Sequence, residues 1–357
     1  MEAALRRYAD RIRAAAAEGR HLCLRGGGTK DFYGGPLEGE PLDLREYSGI
    51  VTYEPTELVV TARCGTPLTD LEAALGERNQ MFSFEPPHFG AGATLGGCVA
   101  AGLSGPRRAA TGLYYGAVRD YVLGCAIMDG RAEVMRFGGQ VMKNVAGYDV
   151  SRLAAGSMGT LGVILDVSIK VLPLPVARAT LRLAIGEAEA LATLNDWGGR
   201  PLPISASVWN AGELNLRLEG AAAAVDAACA KLGGERIDEA AASFLWQGVR
   251  DHSHPFFGQP GALWRLSVAS TSRSIALPGR QLVEWGGALR WWKTDAEVQS
   301  VRQAARAVGG HATLFRGGDR TTGVFPELDP VLARLHRKVK SAFDPRGVFN
   351  RGRLYPE

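Results

Sequence analysis

Residues 86–116 read PPHFGAGATLGGCVAAGLSGPRRAATGLYYG; eight of these 31 positions are glycine, and Ala, Ser or Thr occupy nine more. Side chains this small cannot build a core. Glycine in such density instead lets a backbone approach a ligand closely, at an entropic cost that ordinary loops do not carry. The stretch is expected to form a wall for a large, flat, phosphate-bearing ligand. It is not a dinucleotide fingerprint: after Gly90 and Gly92 the third glycine, Gly96, falls one place late. The residues before it (Glu85, Pro86, Pro87, His88) are not a strand, and the fingerprint needs a strand entering and a helix leaving.

Two further glycine segments frame this one. Residues 2–18 carry Leu5, Tyr8, Ala9 and Ile12 at helical spacing and stop before Gly19. The apolar run 21–24 then reads as a buried strand discharging into Arg25, Gly26, Gly27, Gly28, Thr29 and Lys30, where successive N–H groups flanked by cations suit an anion. Short strands are expected at 41–44 and 50–53, and another turn and strand over 54–62. A helix should follow at 66–75, capped by the Thr66 hydroxyl with Pro67 at its first position. A hairpin is expected at 121–137 around Asp129-Gly130, and a long strand at 162–172, preceded by the third segment, Gly156-Ser-Met-Gly159-Thr-Leu-Gly162. Pro173 and Pro175 close the unit.

The remainder changes character. All seven tryptophans lie between Trp197 and Trp292, and strand candidates (180–184, 206–209, 214–218, 262–269, 288–292, 311–315) alternate with Ala-rich helices at 221–232 and 295–308. That predicts an α+β domain with a mostly antiparallel sheet. Consecutive Trp291 and Trp292 should point to opposite faces of a strand, one of them outward or into a partner protein. Residues 330–343 read as a basic helix, and 344–353 as an irregular tail that must dock.

Composition narrows the function classes. A net charge of +4 from 41 basic and 37 acidic residues, with no block of like charge, argues against nucleic acid. Five scattered cysteines (Cys23, Cys64, Cys98, Cys125, Cys229) lack any CxxC pair, so neither a disulfide framework nor a zinc or iron–sulfur site is expected. There is no 18-residue apolar run, and the N-terminus is expected to be neither signal peptide nor membrane span.

The three segments, in this order, resemble the FAD-binding domain of the vanillyl-alcohol oxidase family, the PCMH-type flavin domain. The matching residues are 25–29; Thr94, Leu95, Gly96 and Gly97 with Ser104 and Gly105; Tyr115, Gly116, Arg119 and Asp120; Gly147, Tyr148 and Asp149; and Gly156, Gly159, Gly162, Val163 and Ile164. Gly347-Val-Phe-Asn350 looks like the family's terminal segment, which returns from the cap to the flavin domain. The short cap and the 143–149 string are most similar to the smaller flavoprotein subunits of bacterial glycolate oxidases. The resemblance implies a two-subdomain FAD domain over 1–175, a smaller α+β cap over 176–335 and a returning segment over 336–357. It also implies FAD, with 25–29 and 94–97 at the pyrophosphate, Ser104, Gly105 and Gly116 along the isoalloxazine, and Gly162 and Ile164 bracketing the cofactor. Covalent members carry a histidine beside the first phosphate loop; Asp31, Phe32 and Tyr33 stand there instead, so the FAD is expected to be non-covalent. The two-histidine cap string of larger members is absent, leaving Gly310-His311-Ala-Thr-Leu-Phe-Arg316, and no metal is expected.

A 2-hydroxy acid needs a cation for its carboxylate and a base for its hydroxyl proton. Arg316 and His311 are the candidates, with Arg119 and Lys143 behind them; an ion pair of Arg119 with Asp120 or Asp149 competes. His252 and His254 look like a metal pair, but a packed cap loop is the better reading. The resemblance further implies glycolate as substrate, a larger FAD-containing subunit and an iron–sulfur subunit as partners, and electrons passed on to quinone. Placement would be cytoplasmic, touching the inner face of the plasma membrane only through partners. Two alternatives stand beside this: an FAD-bearing assembly subunit without catalysis, and a self-sufficient dehydrogenase of small 2-hydroxy acids.

Overall fold

The computed structural model describes residues 2–108, 116–139 and 149–356. Tyr115, Lys143, Gly147 and Tyr148 lie outside them.

The N-terminal half holds three sheets, the smallest pairing Gln80–Met81 with Leu172–Pro173. Helix Glu2–Glu18 buries Tyr8, Ile12 and Ala15 on one face, as its spacing requires. It packs beside a parallel pair, Leu22–Arg25 with Glu40–Asp43. A five-stranded antiparallel sheet runs in the order Ile50–Glu54, Val59–Arg63, Val163–Lys170, Val122–Met128, Val134–Gly138. Its central strand, Val163–Lys170, is buried on both faces down to its last residue. The C-terminus returns to this half: Phe349 bridges to Leu22 in parallel, and Asn350 N–H donates to the Leu22 carbonyl at 3.0 Å.

Residues 177–316 form one eight-stranded antiparallel sheet, in the order Glu235–Ile237, Ala177–Ala184, Glu213–Gly220, Ile204–Asn210, Arg280–Glu284, Leu289–Thr294, Ala262–Ser267, His311–Arg316. The architecture is α+β. The strands at 235–237 and 280–284 and the helices Glu187–Gly198 and Glu239–Asp251 were not expected from the sequence.

Two expectations are corrected. The helix after Thr66 starts at Leu68, with Pro67 as its cap residue and no side-chain cap. The Thr66 hydroxyl instead accepts from Gly49 N–H at 2.9 Å and donates to the Arg63 carbonyl at 2.7 Å, fastening the preceding turn. Trp291 and Trp292 do point to opposite faces, yet both are buried, because the sheet is covered on both sides. Trp291 meets Phe315 and His252, whereas Trp292 packs with Leu314, Val301 and Ala305 beneath helix Val298–Ala307.

Candidate functional site

The first glycine loop leaves strand Leu22–Arg25 and runs beside Gly92–Thr94. A Cβ on Gly26 would collide with the Thr94 hydroxyl, and one on Gly27 with the Gly92 carbonyl. Gly28 adopts φ +73°, which a side chain would strain. Thr94 extends this packing by accepting from Gly97 N–H at 3.3 Å, at the start of the short helix Leu95–Ala101. On the far side, a Cβ on Gly159 would lie 2.6 Å from the Asn350 amide nitrogen. Asn350 itself is a clasp: its Oδ1 accepts from Leu24 N–H at 2.7 Å and its Nδ2 donates to the Met158 carbonyl at 2.6 Å.

The cleft between these pieces is lined by Arg25, Gly26, Gly27, Gly28, Thr29, Thr94, Gly96, Gly97, Gly159, Gly162, Ile164 and Asn350, twelve of the residues the sequence pointed to. It also takes in Lys30, expected as a cation flanking the first loop, and Met158 and Arg353, whose part sequence reasoning missed. Glycine walls and loop N–H groups that no added Cβ could share suit a phosphate-bearing ligand lying along the backbone. Leu95 and Val163 are instead buried in the core. Ser104 Oγ accepts from Val118 N–H at 3.1 Å, and Gly105 lies under Trp285, whose Nε1 donates to its carbonyl at 3.0 Å. Gly116 abuts Asp120, whose carboxylate accepts from Ala117 N–H at 2.9 Å. These last four residues do not line the glycine cleft.

Beside the cleft, where the long sheet meets the N-terminal half, cations sit on aromatic faces. The Arg316 guanidinium lies 4.0 Å from the Phe32 ring centroid, and Lys30 Nζ lies 5.6 Å from that of Phe89. Arg108 and Arg265 flank Trp285 at 4.4 and 5.3 Å. Among the described residues none of these four side chains has an ion pair, so their N–H donors are uncommitted. Burial lowers the Lys30 pKa from its ordinary value. Arg316 reaches this group through a β-bulge: Leu314 pairs with Trp264 but Arg316 with Leu263, so Phe315 is the extra residue and Arg316 joins the face of Arg265.

His311 opens the same strand opposite Ser267 and is exposed. The partners of His311 and Arg316, Ser267 and Leu263, are four residues apart, so at a rise of ~3.4 Å per residue the two stand roughly 14 Å apart and are not brought together. His252 lies much closer to Arg316, stacked on Phe257 at 3.8 Å and edge-on to Trp291 and Phe89. Burial, then the Arg316 and Arg265 charges, push its pKa well below the usual histidine value, and its Nδ1 is buried without a hydrogen-bond partner. His254 Nδ1 accepts from Phe256 N–H at 3.3 Å. Among the described residues no group of three or more His, Cys, Asp or Glu side chains gathers as metal ligands would. Arg119 lies 4.0 Å from Asp120, both exposed.

Glu284 is the buried acid of this junction. It accepts from Trp291 Nε1 at 2.6 Å, and burial pushes its pKa up to about 8, so it holds its proton at neutral pH. Next to it a charged network joins the two halves. Glu85, at φ +50°, accepts from both Arg217 Nη atoms at 2.9 and 2.8 Å and from Arg107 N–H at 2.9 Å. Glu219 accepts from Arg107 at 3.1 and 2.9 Å and from Arg178 at 2.7 Å. Burial opposes the charge of both acids, but the Arg217 and Arg107 guanidinia outweigh it, taking Glu219 down to about 2 and Glu85 lower still. The sequence did carry a signal for these residues: Arg217, Glu219, Arg265 and Glu284 are charges set inside apolar strands, which a core tolerates only when they are paired or used.

Comparison with known proteins agrees with this geometry. Residues 6–138 match the FAD binding domain family. The chain is 49% identical over 348 residues to the glycolate oxidase subunit GlcE of Escherichia coli (strain K12), covering 98% of this chain and 96% of that one. The chain belongs to the GlcE family. Less of this GlcE-family chain aligns with the glycolate oxidase subunit GlcD of Bacillus subtilis (strain 168): 32% identity over 163 residues, 46% of this chain and 32% of that one. A D-lactate dehydrogenase of Archaeoglobus fulgidus is 36% identical over 158 residues, 42% of this chain and 33% of that one. In fold, the chain resembles an alkyldihydroxyacetonephosphate synthase at a TM-score of 0.65 and 13% identity, covering 95% of this chain and 73% of that one. The GlcE-family chain is thus an FAD-binding flavin oxidoreductase. No helix among its described residues is long and apolar enough to cross a membrane.

Proposed function

We propose that this chain is the FAD-bearing subunit of a multi-subunit glycolate oxidase, oxidising glycolate to glyoxylate and relaying electrons through an iron–sulfur subunit to quinone. The carrying observation is the set of uncommitted cations, Lys30, Arg108, Arg265 and Arg316, placed on aromatic faces beside a glycine-walled cleft. Such a set receives a small carboxylate, and a guanidinium fork orients it. A subunit that merely held FAD as scaffold would have no use for it. When bound, FAD supplies the two-electron chemistry; the protein supplies placement and charge.

In this reading the loops at 25–29 and 94–97 cradle the pyrophosphate, and Gly159, Gly162, Ile164 and Asn350 close the cleft around the cofactor. Ser104, Gly105, Gly116 and Asp120 belong to the second wall. FAD is held without a covalent bond, since Asp31, Phe32 and Tyr33 follow the first loop where a linking histidine would stand. Arg316 orients the substrate carboxylate. For the hydroxyl proton, His252 is better placed than His311, whose end of the strand lies far from Arg316. The sheet partition and the Asn350 clasp support a division into an FAD domain (1–175), a cap (176–335) and a returning segment (336–357). The protein works at the cytoplasmic side, meeting the membrane only through its partners.

An anaerobic absorbance titration of the purified chain, loaded with FAD, tests the reading. Bleaching by glycolate is the expected result. A flavin that bleaches only with dithionite places substrate chemistry on a sister subunit, and a chain that refuses FAD overturns the cofactor assignment.

A further inference from the structure

Helix Pro330–Phe343 buries none of its fourteen residues, although its sequence is strongly two-faced. At ~100° per residue, Val331, Leu332, Leu335, Val339 and Phe343 fall within one arc of about 120°. The C-terminal part of that arc is turned into the protein, where Phe343 meets Phe137 at 6.2 Å; just outside the arc, Lys340 Nζ donates to the carbonyls of Thr160 and Phe349 at 2.9 Å each. The N-terminal part is open, with Val331, Leu332 and Leu335 at 56%, 45% and 49% exposure.

The charges around this opening are uncompensated. Helix Glu2–Glu18 pairs each of Arg6, Arg7, Arg11 and Arg13 with a carboxylate. Helix Pro330–Phe343 contains no acidic residue, and among the described residues Arg334, Arg337 and Lys338 form no ion pair. Open apolar side chains flanked along one edge by the free cations Arg334 and Lys338 call for an anionic occupant with an apolar ridge. Because the same arc is anchored to the body further along the helix, the open residues face the flank of the molecule rather than away from it. A protein ridge can enter such a flank; a flat bilayer cannot.

We propose that the N-terminal half of helix Pro330–Phe343 is the docking face for an acidic protein subunit of the same enzyme, an inference that rests on the multi-subunit reading above. The test co-expresses the tagged chain with the other subunits of its enzyme and measures how much of each co-purifies. Leu332→Glu with Leu335→Glu, and separately Arg334→Glu with Arg337→Glu and Lys338→Glu, each reduce co-purification at least tenfold. Flavin content and thermal midpoint stay unchanged in both, because every altered side chain is exposed. Full assembly by both variants overturns the docking face. So does flotation of the isolated chain with phosphatidylserine vesicles that these substitutions abolish, which makes the helix a lipid contact. A wild-type chain that captures no subunit overturns the multi-subunit reading as well, a result distinct from variants that assemble normally.

Discussion

Replacing Glu219 by glutamine probes the junction on which the site depends. Its carboxylate is fully buried and bonded to Arg107 and Arg178, with Arg217 Nε at 3.6 Å. Against an ordinary carboxyl value of 4.5, a folded value of about 2 corresponds to roughly 3 kcal/mol of stabilisation at neutral pH, at ~1.36 kcal/mol per unit. The substitution leaves three guanidinia with a single remaining acid, Glu85, and removing one partner from a buried ionic group costs about 3–5 kcal/mol. Glu219→Gln is therefore expected to lower the unfolding free energy by roughly 3 kcal/mol at pH 7, read from urea titrations followed by tryptophan fluorescence.

The pH dependence supplies an internal check. A depressed carboxylate stabilises above its unfolded pKa and loses that contribution as pH falls toward its folded pKa, here between 4.5 and about 2. The difference between wild type and variant should shrink from roughly 3 kcal/mol at pH 7 to about 2 kcal/mol at pH 3.5. A variant within ~1 kcal/mol of wild type at pH 7, or a gap that stays constant down to pH 3.5, refutes the network as the stabilising element of the junction.

Gly27→Ala places a methyl against the Gly92 carbonyl; FAD retention should fall at least about tenfold, seen in the flavin-to-protein absorbance ratio, whereas full occupancy would show that the first loop does not hold the cofactor. Arg316→Lys keeps the charge but loses the fork, so KM for glycolate should rise on the order of tenfold with FAD content unchanged; an unaltered KM removes Arg316 from the substrate site. Glu284 has the opposite sign to Glu219: its raised pKa means the folded state holds a proton that the unfolded state releases between pH 4.5 and about 8, so stability declines through that window. Glu284→Gln should abolish a loss on the order of 3 kcal/mol between pH 5 and 8, and identical pH–stability curves for both proteins would place Glu284 in a wetter setting than the structure gives it.

The parts of the molecule that were legible in the sequence are those whose requirement is local. Loop 25–30 and the turn at 94–97 are read directly because backbone proximity can be met only by glycine, which leaves a mark in composition. The C-terminal clasp was visible for a related reason, since a tail ending in Gly347-Val-Phe-Asn350 has no periodicity of its own and must dock on something. Strand Arg280–Glu284 was missed because its polar first residues, Arg280 and Gln281, break the apolar pattern, and its pairing with Leu289–Thr294 comes from tertiary context.

The cation group fails to show in sequence for a deeper reason. Lys30, Arg108, Arg265 and Arg316 come from four separate segments, and only folding brings them to the same junction. Arg316 arrives through a bulge at Phe315, an insertion of one residue into a ladder that no periodicity predicts. Without that bulge a residue five places from His311 would occupy the opposite face of the strand; with it, Arg316 shares the face but not the neighbourhood of His311. Pairing the two by their closeness in sequence therefore joined residues that the strand holds apart. The partner that chemistry asks for, a neutral imidazole near Arg316, is met by His252, whose neutrality follows from burial beside positive charge and is invisible until the sheet has closed over it.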